Sequence, residues 1–149
     1  MSKKSSHNIW AELVKPFFVL APLDDVSDTV FRQVVAKAAK PDLFFTEFTN
    51  VDGYFSPGKD SVGRKLRWDN QVEQPLIAQI WGKNPENYFM MARELVDMGF
   101  AGIDINMGCP ERSVVAGGNG AGMIGQYERA GEIIRAVQKG SDGKLPVSV

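Results

Sequence analysis

Polar side chains stand at the ends of otherwise apolar runs along this 149-residue chain. Asp24, Glu47, Gln79 and Asn106 each close or follow such a run, and Cys109 lies three residues beyond Asn106. An amide or carboxylate in this position is either a buried group with a backbone partner or a group that reaches a ligand. Because the feature recurs in four runs, we favour ligand binding.

Cys109 is the single cysteine, and it lies in a Gly-Cys-Pro turn just past a predicted strand. An ordinary thiol has a pKa of about 8.5, so it can donate a proton at neutral pH as well as act as a nucleophile. A catalytic cysteine–histidine pair is disfavoured because the one histidine, His7, lies in the N-terminal tail. The alternative is a small buried structural residue, which is the usual role of a free cysteine.

Composition narrows the classes of protein. Hydrophobic residues make up 44% and charged residues 23%, as in folded globular domains. A net charge of −1 argues against a surface that is basic throughout, so any nucleic-acid contact must come from a local patch. One cysteine and one histidine exclude an internal disulfide and a thiolate or imidazole zinc site. With a polar start and no apolar run near the ~20 residues of a membrane helix, we expect no membrane contact, no metal and a cytoplasmic location.

Two loop segments lie near the candidate residues. The glycine-rich loop at 116–122 partly matches a dinucleotide-binding turn, but it does not directly follow a strand. We therefore predict a mobile loop beside Cys109 that can close over a ligand. A basic and aromatic cluster could contact a phosphate backbone, although a solvated loop is the favoured interpretation. This cluster comprises Arg64, Lys65, Arg67 and Trp68.

Strands that alternate with helices must position these groups. The apolar runs are short, rich in β-branched or aromatic residues and nearly continuous, as in strands covered on both faces. They lie at residues 17–23, 43–48, 76–81, 102–107 and 145–149. Periodic amphipathic segments predict helices at residues 29–39, 84–99 and 127–139. A short helix plus loop is expected within residues 50–74.

Capping residues and periodicity define the three helices in more detail. Ser27 or Asp28 can cap the first, whose inward face is predicted to include Val30 and Val34, and Gly140 closes the third. In the second helix the cap, the first-turn proline and the closing glycine are predicted to be Asn84, Pro85 and Gly99. Its predicted inward face comprises Phe89, Ala92, Val96 and Gly99.

The alternation predicts an α/β domain with a parallel sheet and crossover helices. Strand starts are spaced by 26, 33, 26 and 43 residues, and a (β/α)8 TIM barrel averages roughly 31 residues per unit. An open doubly wound sheet shows the same alternation, so the pattern alone does not separate the two. In a barrel the chain supplies the first four β/α units and the start of the fifth strand. We expect an N-terminal tail at residues 1–15, a partial barrel domain at residues 16–149, and self-association through open sheet edges of a truncated chain.

Three motifs resemble those of the tRNA-dihydrouridine synthases. Residues 21–28, followed by Phe31 and Arg32, resemble the family's A-P-M-x-x-V-T-D…F-R segment, and residues 78–82 are similar to A-Q-(I/L)-x-G. Residues 104–110, with the glycine loop after them, are similar to D-x-N-x-G-C-P…V…G-x-G-A. The motifs occur in the family's order at barrel-like spacing, and the resemblance covers nearly the whole chain from Phe17 onward.

The resemblance implies an FMN-binding (β/α)8 barrel that reduces a uridine in tRNA to 5,6-dihydrouridine, with NADPH as the reductant. In this chemistry C6 of the uracil receives a hydride and a cysteine protonates C5, after the base has been extruded into the pocket. The resemblance assigns cofactor contacts to Pro22, Leu23, Asp24 and Gln79. It places Asn106 near the uracil and makes Cys109 the proton donor.

The chain also departs from the family pattern. Leu23 replaces the usual methionine, and Asp24 and Asp25 stand where neutral residues are common. At least one of these carboxylates is expected to cap the helix that starts near Thr29. The family's C-terminal half-barrel, including a flavin-contacting lysine after the fifth strand, and its helical tRNA-binding domain are expected to be absent, which would leave the fragment inactive. The alternatives are a flavin barrel that acts on a free small molecule and an inactive half-barrel that self-associates.

Overall fold

Short parallel strands form the frame of the protein in the computed structural model, which describes residues 8–149. His7 therefore lies outside the described residues. The strands coincide with the predicted apolar runs, with one additional short strand after the second run. They are β1 Val19–Leu20, β2 Leu43–Phe45, β3 Thr49–Asn50, β4 Leu76–Trp81, β5 Gly102–Ile105 and β6 Val147–Ser148.

The order of the strands in space follows their order along the chain. The sheet runs β1-β2-β4-β5-β6, every neighbouring pair is parallel, and β3 adds a short pairing along β4. A doubly wound sheet reverses its strand order at a switch point, whereas a barrel adds each strand beside the previous one. The predicted fold class is thus confirmed, as the first four β/α units and the fifth strand of a (β/α)8 barrel.

Three helices of eleven or more residues alternate with the strands. The α-helices are α1 Ile9–Glu12, α2 Thr29–Ala39, α3 Val51–Tyr54, α4 Lys59–Gly63, α5 Pro85–Asp97, α6 Arg112–Ala116 and α7 Tyr127–Ser141. Two 3-10 helices lie at Arg64–Leu66 and Gly120–Met123. Within residues 8–149, no helix combines the length and apolar character that a bilayer crossing requires.

The start of α2 and both ends of α5 follow the predicted capping residues. Asp28 accepts a hydrogen bond from the Phe31 amide at 2.8 Å, and Asn84 accepts one from the Glu86 amide at 3.0 Å. Gly99 adopts a φ of +80°, as expected after a helix. Because Asp28 caps α2, the expectation that Asp24 or Asp25 would do so is wrong.

The described part of the N-terminal segment includes a short helix, α1. The Asn8 side chain caps α1 by accepting a hydrogen bond from the Trp10 amide at 3.2 Å. Ile9 is buried in a small cluster with Leu43, Phe45 and Ile77, which belong to β2 and β4. The part of the predicted tail that the structure describes therefore packs against the sheet.

The inward faces of α2 and α5 differ from the prediction. Val30 and Val34 are 65% and 59% exposed, whereas Arg32 is fully buried on the opposite side of α2. The apolar pattern predicted the wrong inward face of α2, because the buried position holds a charged residue, Arg32, whose partner is distant in the sequence. In α5 the buried stripe is rotated by about one residue from the predicted one. It comprises Tyr88, Met91, Ala92 and Leu95.

Helix α7 packs closely against α5, and this contact explains a second difference. Gly140 was predicted to close the helix, but α7 continues to Ser141 and ends at Asp142, which has a φ of 52°. A Cβ at Gly140 would lie 2.3 Å from the Phe89 carbonyl oxygen. Gly140 therefore lets the two helices approach, rather than terminating one of them.

A buried ion pair fixes α2 to the loop before β4. Arg32 Nε lies 2.5 Å from Glu73 Oε2, and both side chains are fully buried. The Arg32 guanidinium also donates to the carbonyl oxygens of Ser27 and Arg67, at 2.6 and 2.7 Å. Glu73 accepts from the Asp69 amide at 2.9 Å. We call this network the Arg32–Glu73 anchor, and it joins α2 to the segment that precedes β4.

Candidate active site

A cleft of about 500 Å³ opens at the carboxyl ends of the strands. This end of a parallel barrel is where side chains from several strands converge on a ligand. The lining combines aromatic and aliphatic groups with a few polar ones. It comprises Pro22, Phe45, Phe48, Gln79, Asp104, Ile105, Asn106, Met107, Gly108, Cys109, Pro110 and Val149.

Three neighbouring strands contribute one row of polar side chains. Gln79 of β4 is in register with Asp104 of β5, which is in register with Ser148 of β6, so the three side chains share one face of the sheet. The Asp104 carboxylate accepts from Gln79 Nε2 and from Ser148 Oγ, each at 2.6 Å. Asn106 Nδ2 donates to Gln79 Oε1 at 3.1 Å. We call Asp104, Gln79 and Asn106 the amide relay, and its members are 8–9% exposed.

The amide relay ends at the turn that carries the thiol. Asn106 Oδ1 accepts from the backbone amides of Gly108 and Cys109, at 3.3 and 3.0 Å. The turn is thus fixed by a side chain rather than by a strand partner. Cys109 is partly exposed and lines the cleft.

The glycine-rich loop packs against the same turn. The Ala121 amide donates to the Cys109 carbonyl oxygen at 2.9 Å. A Cβ at Gly120 would lie 2.6 Å from that oxygen, and Gly120 has a φ of +52°, so a side chain there would be both crowded and strained. The predicted position of the loop beside Cys109 is confirmed, and its closure over a ligand remains a prediction.

Charged side chains form a rim beside the cleft, where Lys65 Nζ lies 5.9 Å from the centre of the Phe48 ring. Asp25, Glu47 and Lys65 line a separate cavity there. Carboxylate oxygens of Asp24, Asp25 and Glu47 lie within 4.8 Å of one another. Lys65 pairs with Asp24, and its Nζ lies 3.4 Å from Asp25 Oδ1 and 3.6 Å from Glu47 Oε1. Burial lowers the pKa of the Lys65 ammonium, but the hydrogen bond to Asp24 and the surrounding negative charges outweigh it and raise the pKa above 10.5. The ammonium thus acts as the counter-ion of these carboxylates.

Backbone geometry supports this arrangement. Asp25 has a φ of 55°, which is uncommon for a residue with a side chain. Its amide donates to Glu47 Oε1 at 2.8 Å, which stabilises that conformation. The first strand exit is therefore tied directly to the second.

The structure brings together most, but not all, of the predicted site residues. Leu23 and Asp24 do not line the cleft: the Leu23 side chain is 47% exposed, and Asp24 turns to Lys65. The predicted residues that do line it are Pro22, Gln79, Asn106 and Cys109.

Asp104 and Ser148 were absent from the predicted site. Asp104 precedes Asn106 by two residues in a strand, and the two-residue period of strands places both on one face. This two-residue period could have identified Asp104 from the sequence. For Ser148 the signal was weaker, because its position depends on the register between β5 and β6.

The basic and aromatic residues separate into two groups, because Arg64, Lys65 and Arg67 line one cavity with Asp25, Asp28 and Glu47, whereas Trp68 does not. Lys65 turns to the rim carboxylates, and the Trp68 ring stacks on Phe100 with centroids 5.4 Å apart. Arg64 and Arg67 remain exposed. A phosphate contact by these arginines stays a hypothesis.

The donors and acceptors of the cleft suit a flat, polar heterocycle. Two primary amides, the Asp104 carboxylate and a thiol face a space whose remaining walls are largely apolar and aromatic, a composition typical of cofactor sites. Within the described residues, the lining contains no lysine or arginine. The cleft therefore matches a ring system rather than a phosphate group.

Comparison with known proteins agrees with this chemistry. The sequence model of the dihydrouridine synthase family matches residues 19–149. This chain belongs to the dihydrouridine synthase family. The match includes the strand exits that carry Gln79, Asn106 and Cys109.

Bacterial relatives align with nearly all of the chain. It is 50% identical over 145 residues to the probable tRNA-dihydrouridine synthase 2 of Bacillus subtilis strain 168, covering 97% of this chain and 43% of that protein. It is 52% identical over 143 residues to a probable tRNA-dihydrouridine synthase of Staphylococcus epidermidis strain RP62A, covering 95% of this chain and 43% of that protein. The chain thus spans less than half the length of these curated dihydrouridine synthase relatives.

Proposed function

We propose that the protein supplies the strand-exit part of a tRNA-dihydrouridine synthase active site, which reduces a uridine in tRNA to 5,6-dihydrouridine with FMN and NADPH. The observation that carries the proposal is the shared cleft of Cys109 and two buried amides in a chain of this family. The tRNA substrate and both cofactors are part of the proposal, because the chain spans 43% of its relatives. A cytoplasmic location, where tRNA and NADPH coexist, belongs to it as well.

The cleft residues fit the ring portion of FMN. Gln79 and Asn106 offer amide donors and acceptors, and Pro22 and Phe48 offer apolar surface at the same opening. FMN, when bound, supplies the hydride that saturates C6 of the uracil. The phosphate of FMN is assigned to no described residue, since no cation lines the cleft within residues 8–149.

Cys109 supplies the second hydrogen. The thiol proton passes to C5 as the C5=C6 bond is lost, and the resulting thiolate regains a proton from water. The two hydrogens, one a hydride and one a proton, balance a two-electron reduction. Asn106 holds the Cys109 turn in place and lies where it can contact the uracil.

Lys65 offsets the negative charge of the carboxylates at the rim. Asp24 and Asp25 would disfavour negative charge on a nearby cofactor if they were unpaired. With Lys65 among them, the local charge is reduced and Asp24 is turned away from the cleft. We propose that cofactor contact in this segment comes from Pro22 and the backbone after it, rather than from the Asp24 carboxylate.

The direct experiment measures dihydrouridine in unmodified tRNA. The chain is tested alone and after exchange for the aligned segment of the Bacillus subtilis relative, in each case with FMN and NADPH. We expect the exchanged protein to raise the mass of one uridine by two hydrogen atoms. No product from an exchanged protein that folds and binds FMN would overturn the proposal.

Assays with free uracil, and measurements of colour and size in solution, separate the alternatives. Reduction of free uracil but not of tRNA would indicate a flavin barrel that acts on small molecules. A colourless chain that is dimeric in solution would favour the inactive half-barrel, since β1 and β6 each pair on one side only within the described residues. Exposed Val30 and Val34 would then be candidates for the dimer contact.

A further inference from the structure

Asp104 is a buried acid that the proposed chemistry does not use. It lines the cleft, is 8% exposed, and accepts hydrogen bonds at both of its oxygens. We propose that Asp104 is a positioning residue that sets the orientation of the amide relay and, through it, the conformation of the Cys109 turn. Its relevance to dihydrouridine formation rests on the proposed function, but the orientation itself does not.

The two ends of the relay impose its direction. A carboxylate can only accept hydrogen bonds, and a backbone N–H can only donate them. Gln79 must therefore turn its NH₂ group to Asp104, which leaves its oxygen for Asn106. Asn106 must in turn present its NH₂ group to Gln79, which leaves its oxygen for the amides at residues 108 and 109.

Any flip of one amide would break this pattern. If Gln79 were reversed, its oxygen would face the Asp104 oxygen and its NH₂ group would face that of Asn106. A reversed Asn106 would then present its NH₂ group to the Cys109 amide, and that partly buried donor would lose its acceptor. Asp104 thus holds the relay in the one amide orientation that also satisfies the backbone amides at residues 108 and 109, and it thereby supports the thiol-bearing turn.

The position of Asp104 in the sheet makes this selection rigid. Its neighbours in register are Gln79 on one side and Ser148 on the other, so its side chain is held from two strands. A carboxylate fixed at both oxygens has little freedom to rotate. The amide relay therefore begins at a carboxylate that two hydrogen bonds hold in place. It ends at the Cys109 turn, which has no strand partner of its own.

The test measures hydrogen exchange of single backbone amides by NMR in the chain itself, without cofactor or tRNA. In Asp104→Ala, exchange at the Cys109 amide should accelerate about tenfold, the effect of losing one hydrogen bond. The reference is the Asn106 amide, which donates to the Ile80 carbonyl oxygen at 2.9 Å in the β4–β5 ladder. Its exchange should stay unchanged, because a positioning role does not alter the ladder.

Conservative variants separate orientation from charge. In Asp104→Asn the side-chain oxygen can still accept from Gln79, while the new NH₂ group donates to Ser148, whose hydroxyl accepts as well as donates. Exchange at Cys109 should therefore stay near the original rate. Ser148→Ala, which leaves the Gln79 contact intact, should behave the same way. If Asp104→Ala does not fold, Gln79→Met interrupts the relay one step later and should accelerate Cys109 exchange while sparing Asn106.

Each result of the exchange measurements supports or overturns the positioning role of Asp104. Unchanged Cys109 exchange in the folded interrupting variants, or equal acceleration at Asn106, would overturn the positioning role. Acceleration in Asp104→Asn as large as in Asp104→Ala would overturn the orientation argument and leave charge as the cause. Because neither FMN nor tRNA is present, these results stand apart from the dihydrouridine assay, so failure of the proposed function is distinguishable.

Discussion

The Arg32–Glu73 anchor and the amide relay are both buried polar networks with their groups hydrogen-bonded, yet they face different surroundings. The further partners of the anchor are backbone carbonyls and a backbone amide, together with the side chains of Thr29 and Gln33. The relay adjoins a cleft, and two of its three members are uncharged amides. Burial and hydrogen bonding alone therefore do not mark a functional site, whereas polar groups beside an open space do.

The anchor and the relay also differ in the free energy that is lost when one of their members is removed. A fully buried ion pair involves charges that cannot be left without partners, so losing one member is costly. Amides can be left with fewer hydrogen bonds at a smaller cost. We therefore expect the anchor to govern stability and the relay to govern the chemistry of the cleft.

The largest effect on stability is expected from breaking the anchor. Arg32→Ala should lower the free energy of unfolding by about 3–5 kcal/mol, because Glu73 stays buried without its counter-ion. Urea unfolding followed by circular dichroism measures the loss. Cys109→Ala is the matched control, since no hydrogen bond of its side chain is lost. A loss below about 1 kcal/mol for Arg32→Ala would contradict the assigned role of the anchor.

A smaller loss of stability is expected from the relay. Asn106→Ala removes the acceptor of two backbone amides and one Gln79 contact, which should cost about 1–3 kcal/mol. Under the proposed function the same change should reduce dihydrouridine formation at least about tenfold. A variant that loses stability but keeps full activity at saturating FMN and tRNA would remove the relay from the site.

The smallest effect is expected at the partly exposed rim. Lys65→Met should cost less than about 1 kcal/mol at neutral pH, because water screens the ion pairs of a side chain that is 25% exposed. The pKa of Lys65 is raised in the folded state, so its contribution is present below pH 10.5 and is lost as the pH rises through the raised pKa. The difference in unfolding free energy between the original and Lys65→Met proteins should therefore be constant from pH 7 to about 10 and shrink above that. A difference that grows with rising pH would contradict the ion-pair assignment.

Local sequence features predicted the parts of the molecule that depend on neighbouring residues. Strand positions follow from short apolar runs, and the cap of α5 follows from Asn84 and Pro85 in sequence. Gln79, Asn106 and Cys109 were predicted because polar groups at strand exits stand out against apolar neighbours.

Features that depend on distant partners were missed. The burial of Arg32 needs Glu73, which lies 41 residues later, so local periodicity placed the wrong face of α2 inward. Asp24 is turned from the cleft by Lys65, also 41 residues away. The α5–α7 contact at Gly140 likewise depends on a backbone atom of another helix. Such pairings are long-range and leave no periodic trace in the chain.

The most direct test of the central claim compares Cys109→Ala with the original residue in the protein that carries the exchanged segment. Dihydrouridine formation is measured at saturating tRNA and NADPH and expressed per bound FMN. We predict full FMN binding in the variant and a rate lower by about 100-fold or more, the usual contribution of a positioned proton donor. An unchanged rate per bound FMN would contradict it.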